Sequence, residues 1–401
     1  MKASRLLILL SILTAIGLLA GCQQKQAQAE PHDPWGVVRI PKGQAVEIRL
    51  ALSQSDPLVG SLGVQQRRGA ELAARQFEPI QGFPVSLEVS DPACSSDGGV
   101  SAAHDATFHS QTVAVVGMTC STACLSSAPI LDDAHMLEVS PSCEASALTD
   151  PVTQRQIFMT TSYKALDEGQ LSADFAVKEL AANRIAVISY DSVESSDVVN
   201  AFKERVAALG GTIVSSSTVA VGQSVYQPVI NVAIANKPDL VYAPLFPADA
   251  AKLTVQMRNS TLKSTTLLGG RYYLSQWYID QTRGVSEGVY AVGPRIDNPR
   301  SDSIAQAFGA IYREPPDSSE AMYAYDAMEL LLDGIKQVAV VGSDSSLLVG
   351  RQALKNAILQ TASYQAVTGP ITCTAWGDCS APNTLVVAEV KSGNWANVFI
   401  P

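Results

Sequence analysis

Two doubly wound α/β units in one chain are the fold this sequence predicts, and three observations carry it. The first is the stretch 113–149, VAVVGMTCSTACLSSAPILDDAHMLEVSPSCEASALT. It reads as a buried strand (113–116), a tight turn (117–120), a helix opening on Ser121 and Thr122, a second strand (136–140) and a polar loop (141–144). Two parallel strands joined by a helix make a right-handed βαβ unit. Its polar turns leave the carboxyl ends of neighbouring strands, where open α/β sheets bind ligands. The second observation is that the same alternation of strand and helix starts again beyond Thr160. The third is size: 401 residues at 47% hydrophobic content suggest two or three globular units with real cores.

Taken in order, the chain begins with Lys2 and Arg5 ahead of an apolar run, 6–19, that ends in Leu19-Ala20-Gly21-Cys22. The run is short for a membrane span and has the charge pattern of a signal peptide. Leu-Ala-Gly-Cys resembles a lipobox, which implies cleavage before Cys22 and lipid attachment at that cysteine. An ordinary signal with a chance cysteine is the other reading. Residues 23–45 are polar and interrupted by Pro and Gly, and read as a tether with an irregular lead-in.

Val46, Ile48, Leu50 and Leu52 alternate with Glu47, Arg49, Ala51 and Ser53, a period of two that predicts a strand. A loop follows over 55–63, then a helix over 64–77, a strand over 85–89, and a loop from Cys94 to Gly99 into a helix near 100–109. Beyond the opening unit, 166–180 has helical spacing and 185–188 is a short buried strand. Residues 197–209 form a helix that Gly210-Gly211 stops. Strands at 213–214, 240–242 and 267–268 alternate with helices near 228–235 and 248–259. A strand at 288–292 is expected to return to the first unit. The helix over 321–338 turns Met322, Tyr325, Met328, Leu332 and Ile335 towards a core. Final strands lie at 384–390 and 395–400.

Several motifs share an order and spacing: DPAC ending at Cys94, GMTCS at 117–121, API at 128–130, VSP at 139–141 with the following ALTD, DLVY at 239–242, SEGVY at 286–290 and AYDA at 324–327. With these the chain resembles the substrate-binding proteins of ABC transporters for branched-chain amino acids, the leucine/isoleucine/valine-binding family, from about residue 46 to the end. The resemblance implies the periplasmic-binding-protein type I fold: two doubly wound lobes joined by a three-segment hinge, with crossovers near 158–163, 290–295 and 366–372. Residues 46–160 and 293–366 are then the first lobe, and 161–292 with 367–401 the second, after a signal (1–22) and tether (23–45). Such a hinge lets two lobes close on a solute.

The chain has seven cysteines, an odd number. Assigning Cys22 to lipid leaves six, on an export route where disulfides persist. Sequence alone does not choose among their pairings. The resemblance suggests Cys94–Cys120, Cys373 and Cys379 are close enough to staple a hairpin, and Cys124 with Cys143 remain. Metal binding is the rival reading, but no Cys-x-x-Cys has a histidine partner at zinc spacing, so no metal is expected.

The family holds its ligand's carboxylate by the turn after the GxxC motif and by the loop after the SP motif. An acidic residue and an aromatic wall come from the second lobe. Cys120, Ser121 and Thr122 match the first turn, where helix-start N–H groups favour an anion; a serine that only caps its helix is the alternative. The second loop departs, with Cys143-Glu144 where a small residue and a threonine are common. An ionised Glu144 cannot donate a hydrogen bond and repels a carboxylate. The usual acid aligns with Arg271, a cation that attracts an anion. Glu144 and Arg271 either pair across the closed cleft or hold a ligand of reversed polarity; a shift of alignment by one or two residues is the remaining alternative. Phe246 and Tyr272 or Tyr273 are wall candidates, Leu62 and Leu58 border the cleft, and Ser195-Ser196 stand where the family often has a tyrosine.

The net charge of −10 argues against nucleic acid as a partner. The sequence has no Gly-x-Ser-x-Gly elbow, Walker loop or dinucleotide fingerprint, and none of its four histidines lies in a zinc pattern, so neither an enzyme nor a bound cofactor is expected. The implied protein is lipid-anchored in the cell envelope. It captures an amino acid, amide or small organic acid and serves an ABC permease with its ATPase. A sensing subunit that passes its closed state to a membrane receptor or kinase is the alternative.

Overall fold

The computed structural model describes residues 32–153, 155–381 and 384–401. The expected signal, Cys22 as the expected site of lipid attachment and the start of the expected tether lie outside them. The first lobe begins with β1 (Val37–Ile40), β2 (Val46–Ala51), α1 (Gly60–Gln76), β3 (Val85–Ser90), α2 (Ser96–Phe108) and β4 (Thr112–Gly117). It continues with α3 (Ser121–Asp133), β5 (Leu137–Ser140), the short α4 (Ser146–Thr149) and β6 (Phe158–Thr160). Five of these strands form a parallel sheet in the order β3-β2-β4-β5-β6. Every residue of β4 is buried, as a strand covered on both faces by crossover helices requires.

The second lobe takes α5 (Ala165–Asp174), β7 (Arg184–Tyr190), α6 (Val193–Ala208), β8 (Thr212–Val219), α7 (Gln227–Asn236) and β9 (Leu240–Tyr242). Next come α8 (Pro247–Arg258), β10 (Thr266–Gly269), α9 (Gln276–Gln281) and β11 (Tyr290–Pro294). The chain then returns to the first lobe through α10 (Pro299–Tyr312), α11 (Glu320–Val338), β12 (Val340–Val341), β13 (Leu347–Gly350) and α12 (Arg351–Leu359). A small hairpin of β14 (Tyr364–Gln365) and β15 (Pro370–Ile371) leads back to β16 (Leu385–Lys391) and β17 (Asn394–Phe399). These last two complete a seven-stranded sheet in the order β17-β16-β11-β10-β9-β7-β8. Three passages between the sheets are the three-segment connection of the expected fold.

Four expectations change. The lead-in to residue 45 is not wholly irregular: β1 pairs antiparallel with β13, Val37 opposite Gly350. Asp33 just before it accepts the N–H groups of Gln352 and Ala353 at the start of α12. Helix α1 starts at Gly60, inside the stretch assigned to a loop. A Cβ at Gly63 would overlap the Ser53 carbonyl oxygen, so that glycine marks close backbone approach and not a turn. The strand expected to return to the first lobe, β11, pairs with β10 and β16 and stays in the second. The last passage comes late: Val367, Ile371, Cys373, Cys379 and Ala381 pack in the first lobe's core with Leu50, Val116 and Met328.

Helix α11 carries its apolar stripe into that core, where Met322, Tyr325, Met328, Leu332 and Ile335 are all buried. It lies against α1 so closely that a Cβ at Gly69 would overlap the Ala321 carbonyl oxygen. Its first residue, Glu320, is thereby held at the edge facing the second lobe.

Candidate ligand site

The two lobes meet over an apolar half and a polar half. In the apolar half, Leu58, Val59, Leu62, Cys94 and Cys120 of the first lobe pack with Tyr190, Phe246 and Tyr272 of the second. The Phe246 and Tyr272 ring centroids are 5.2 Å apart, as are those of Phe246 and Tyr190. Phe246 stands at the start of α8, where its N–H donates to the Tyr190 hydroxyl at 3.1 Å. Tyr190 supplies the ring that Ser195-Ser196 lack; those serines lie in the first turn of α6, beyond the loop expected to hold them. Tyr273 is no wall residue. It points into the second lobe's core, 4.8 Å from Tyr278.

The polar half centres on Arg271, which follows β10 and is 5% exposed. Nη1 donates to Ser162 Oγ at 3.0 Å, and Nη2 donates to the Ser142 carbonyl at 3.3 Å and the Tyr272 hydroxyl at 2.8 Å. Glu144 Oε2 lies 3.7 Å from Nη1, and Glu320 Oε1 lies 3.8 Å from Nη2. The guanidinium also sits 4.6 Å from the Tyr272 ring centroid and 5.5 Å from that of Tyr163. One side chain of the second lobe thus reaches two carboxylates and a carbonyl of the first. Of the readings open for Glu144 and Arg271, the pairing across the crevice is the one this closed form contains.

Three residues of this cluster were invisible in the sequence: Glu168, Glu320 and Tyr163. Glu168 and Glu320 each stand in the first turn of a helix, where an acid ordinarily only complements the helix dipole. In the fold, Glu168 accepts the Tyr163 hydroxyl at 2.6 Å and the Arg271 N–H at 3.4 Å. Gly270 permits this, because a Cβ there would overlap Glu168 Oε1. Gln66 of α1 donates to both Ser142 Oγ and Glu320.

Burial governs the electrostatics. It raises the Glu144 carboxyl to about 8, against the pull of Arg271 and with the push of Glu168, Glu320 and Asp197. Burial likewise raises Glu168, offset in part by the Tyr163 hydroxyl and by Arg271. Burial alone would lower Arg271, but Glu144 and its neighbours hold it well above its ordinary value. The guanidinium is a fixed positive charge in a pocket with more acid than base.

The remaining expected site residues hold this pocket's frame. Ser121 Oγ accepts the N–H groups of Glu144 and Ala145, both at 3.2 Å, tying the turn after β4 to the loop after β5. Thr122 follows it, half-buried. Cys143 donates its N–H to Ser140 Oγ at 2.9 Å and is bonded to Cys124, so the same two segments are tied covalently. Cys94–Cys120 and Cys373–Cys379 are the other disulfides. At the rim, Asp317 of the first lobe faces the backbone N–H groups of Gln276 and Trp277 of the second.

The space left between the lobes is about 20 Å³, lined by Ser61, Leu62, Tyr272, Leu274, Trp277 and Glu320 among others. That is room for about one water. A roomier groove of about 520 Å³ lies beside Lys164, Asp167, Asp378 and Pro401. Its lysine already pairs with Asp378 at 2.8 Å, and none of Arg271, Glu144 and Glu320 lines it. The crevice around Arg271 is the better candidate site.

Two hinged α/β lobes closing on a crevice define a class, and the sequence comparison agrees. The chain belongs to the periplasmic binding protein family, whose profile matches residues 52–394. That family consists of solute-binding proteins and not of enzymes. Among curated relatives, a Leu/Ile/Val-binding protein homolog of Brucella melitensis is 24% identical over 81% of this chain and 86% of its own. An amino acid binding protein of Pseudomonas aeruginosa is 26% identical over 68% and 73%. Among solved structures, the leucine-binding protein LivK of Thermotoga maritima superposes with a TM-score of 0.77 at 22% identity, covering 88% of this chain and 98% of that one. A solute-binding protein of R. palustris in complex with benzoate gives 0.78 at 21% identity, covering 89% and 96%. At such identities the structural likeness carries the fold, and the ligand is a separate question.

Proposed function

We propose that this chain is the solute-capturing subunit of an ABC importer, held to the outer side of a membrane by a lipid on Cys22. It would seize a small polar solute in the crevice around Arg271 and deliver it, lobes closed, to a permease driven by its ATPase. The observation that carries the reading is the convergence of both lobes on Arg271. Contacts from facing edges stabilise closure only when both are engaged, so a solute that makes them shifts the hinge towards the closed state by its differential affinity. None of the described helices is long and apolar enough to cross a membrane, consistent with an anchor supplied by lipid.

The test is a thermal-shift screen of amino acids, amides, amines and organic acids against residues 23–401. A solute at one hundred times its Kd adds about 2.7 kcal/mol of apparent stability, so a true ligand raises the melting temperature by several degrees. No response from any class would overturn the reading. Mass spectrometry of the protein from its own membranes should find the amino-terminal peptide beginning at a diacylglycerol-modified Cys22.

A further inference from the structure

The charge around the crevice is lopsided, and this bears on what the crevice takes, given that it is the solute site. Two carboxylates flank one guanidinium, Glu144 from the loop after β5 and Glu320 from the start of α11, and a third, Glu168 of α5, accepts the Arg271 backbone N–H. Asp197 of α6 adds to the negative field felt at Glu144, and Asp317 lies on the rim. Among the described residues lining the crevice, Arg271 is the one cation. Its Nη atoms already engage Ser142, Ser162 and the Tyr272 hydroxyl, and its buried Nε has no hydrogen-bond partner. Glu144 Oε2 is buried and has no hydrogen-bond partner.

With these acids ionised, an anionic solute would therefore enter a field that Arg271 does not neutralise. A cation would find the opposite: a carboxylate oxygen awaiting a donor and two ring faces, those of Tyr272 and Tyr163. Ring faces and carboxylates together recognise ammonium and guanidinium groups. Arg271 makes the same point with its own side chain, because its guanidinium rests on those two rings between Glu144 and Glu320. We propose that the crevice takes a small organic cation, an alkylammonium or guanidinium compound, whose charged head binds Glu144 and the Tyr272 and Tyr163 rings where the Arg271 guanidinium seats in this closed form. Arg271 is then a tethered stand-in that swings aside for the solute.

Binding of such a head favours the ionised form of Glu144, whose burial raises it to about 8. The groups facing that carboxyl are Arg271, Glu168, Glu320, Asp197 and the Tyr163 and Tyr272 hydroxyls. Below that value the cation must expel a proton, so affinity rises with pH up to about 8.

The test is titration calorimetry of the whole mature chain with agmatine, choline, leucine and benzoate. It is run at pH 6.5 and 8.5, in two buffers of different ionisation enthalpy. Agmatine or choline should bind about ten-fold or more tightly at pH 8.5 than at pH 6.5, releasing close to one proton at the lower pH. Glu144→Gln, nearly isosteric, should weaken that binding about ten-fold at pH 8.5 and abolish the proton release; the release on the unaltered protein is read independently of the variant. Binding of leucine or benzoate without either cation overturns the assignment and leaves the solute-binding reading standing. Cation affinity that is equal at the two pH values and indifferent to Glu144→Gln overturns it as well. Silence across this panel and the wider thermal-shift screen overturns both.

Discussion

Arg271 is costly to bury and costlier to remove. Its partners Glu144 and Glu320 are out of water, and truncating one member of a buried ionic cluster leaves the rest uncompensated. Arg271→Met, which keeps much of the volume, should destabilise the protein by about 3–5 kcal/mol at pH 8, read from urea unfolding. The loss should shrink at pH 5, where protonation relieves the stranded carboxylates. Glu144 itself acts in the other direction. Its folded value lies near 8, above the ordinary carboxyl range of an unfolded chain. Its contribution is thus fully present below about pH 4.5 and is lost as pH rises towards 8. Urea midpoints should fall over that window, and Glu144→Gln should flatten part of the fall. Burial raises Asp326 to about 7 as well, despite three hydrogen bonds, so a remainder persists in the variant. The two departures at 144 and 271 were legible in the sequence because a family pattern made them stand out. Glu168 and Glu320 were not, since an acid in a first helical turn has an adequate local reason to be there.

Backbone contact between elements sets where helices start and how closely they lie. The Gly63 and Gly69 positions of α1 let it press on Ser53 and on α11. Gly69→Ala should cost about 1–3 kcal/mol through overpacking against Ala321, measured by chemical denaturation. Glu320 moves with α11, so the same variant should also weaken solute binding. Most strands of the two large sheets and most helices were readable from periodicity, because buried parallel strands appear as short apolar runs. The missed start of α1 turned on glycines, which mark a turn in one setting and a close approach in another. Helix α10 carries a readable start, Asn298 with Pro299 and a reciprocal bond to Ser301, yet its weak apolar stripe hid it. The β1–β13 pair joins segments more than 300 residues apart, a partnership that local pattern does not encode.

The disulfides and the hinge belong to the molecule as a whole. Cys124–Cys143 closes a loop with a sequence separation of 19 residues between two segments that frame Arg271's pocket. Replacing both cysteines by serine should cost about 3 kcal/mol and loosen the loop that carries Glu144. Non-reducing mass spectrometry should find no free thiol among the six cysteines from Cys94 to Cys379. Fastening at the amino-terminal end has a mechanical outcome. Asp33 grips α12, and β1 is sewn into the first lobe, so a lipid on Cys22 would pull on that lobe alone. So anchored, that lobe would be the stationary jaw at the membrane surface, and the lobe bearing Arg271 would be the one left free to swing.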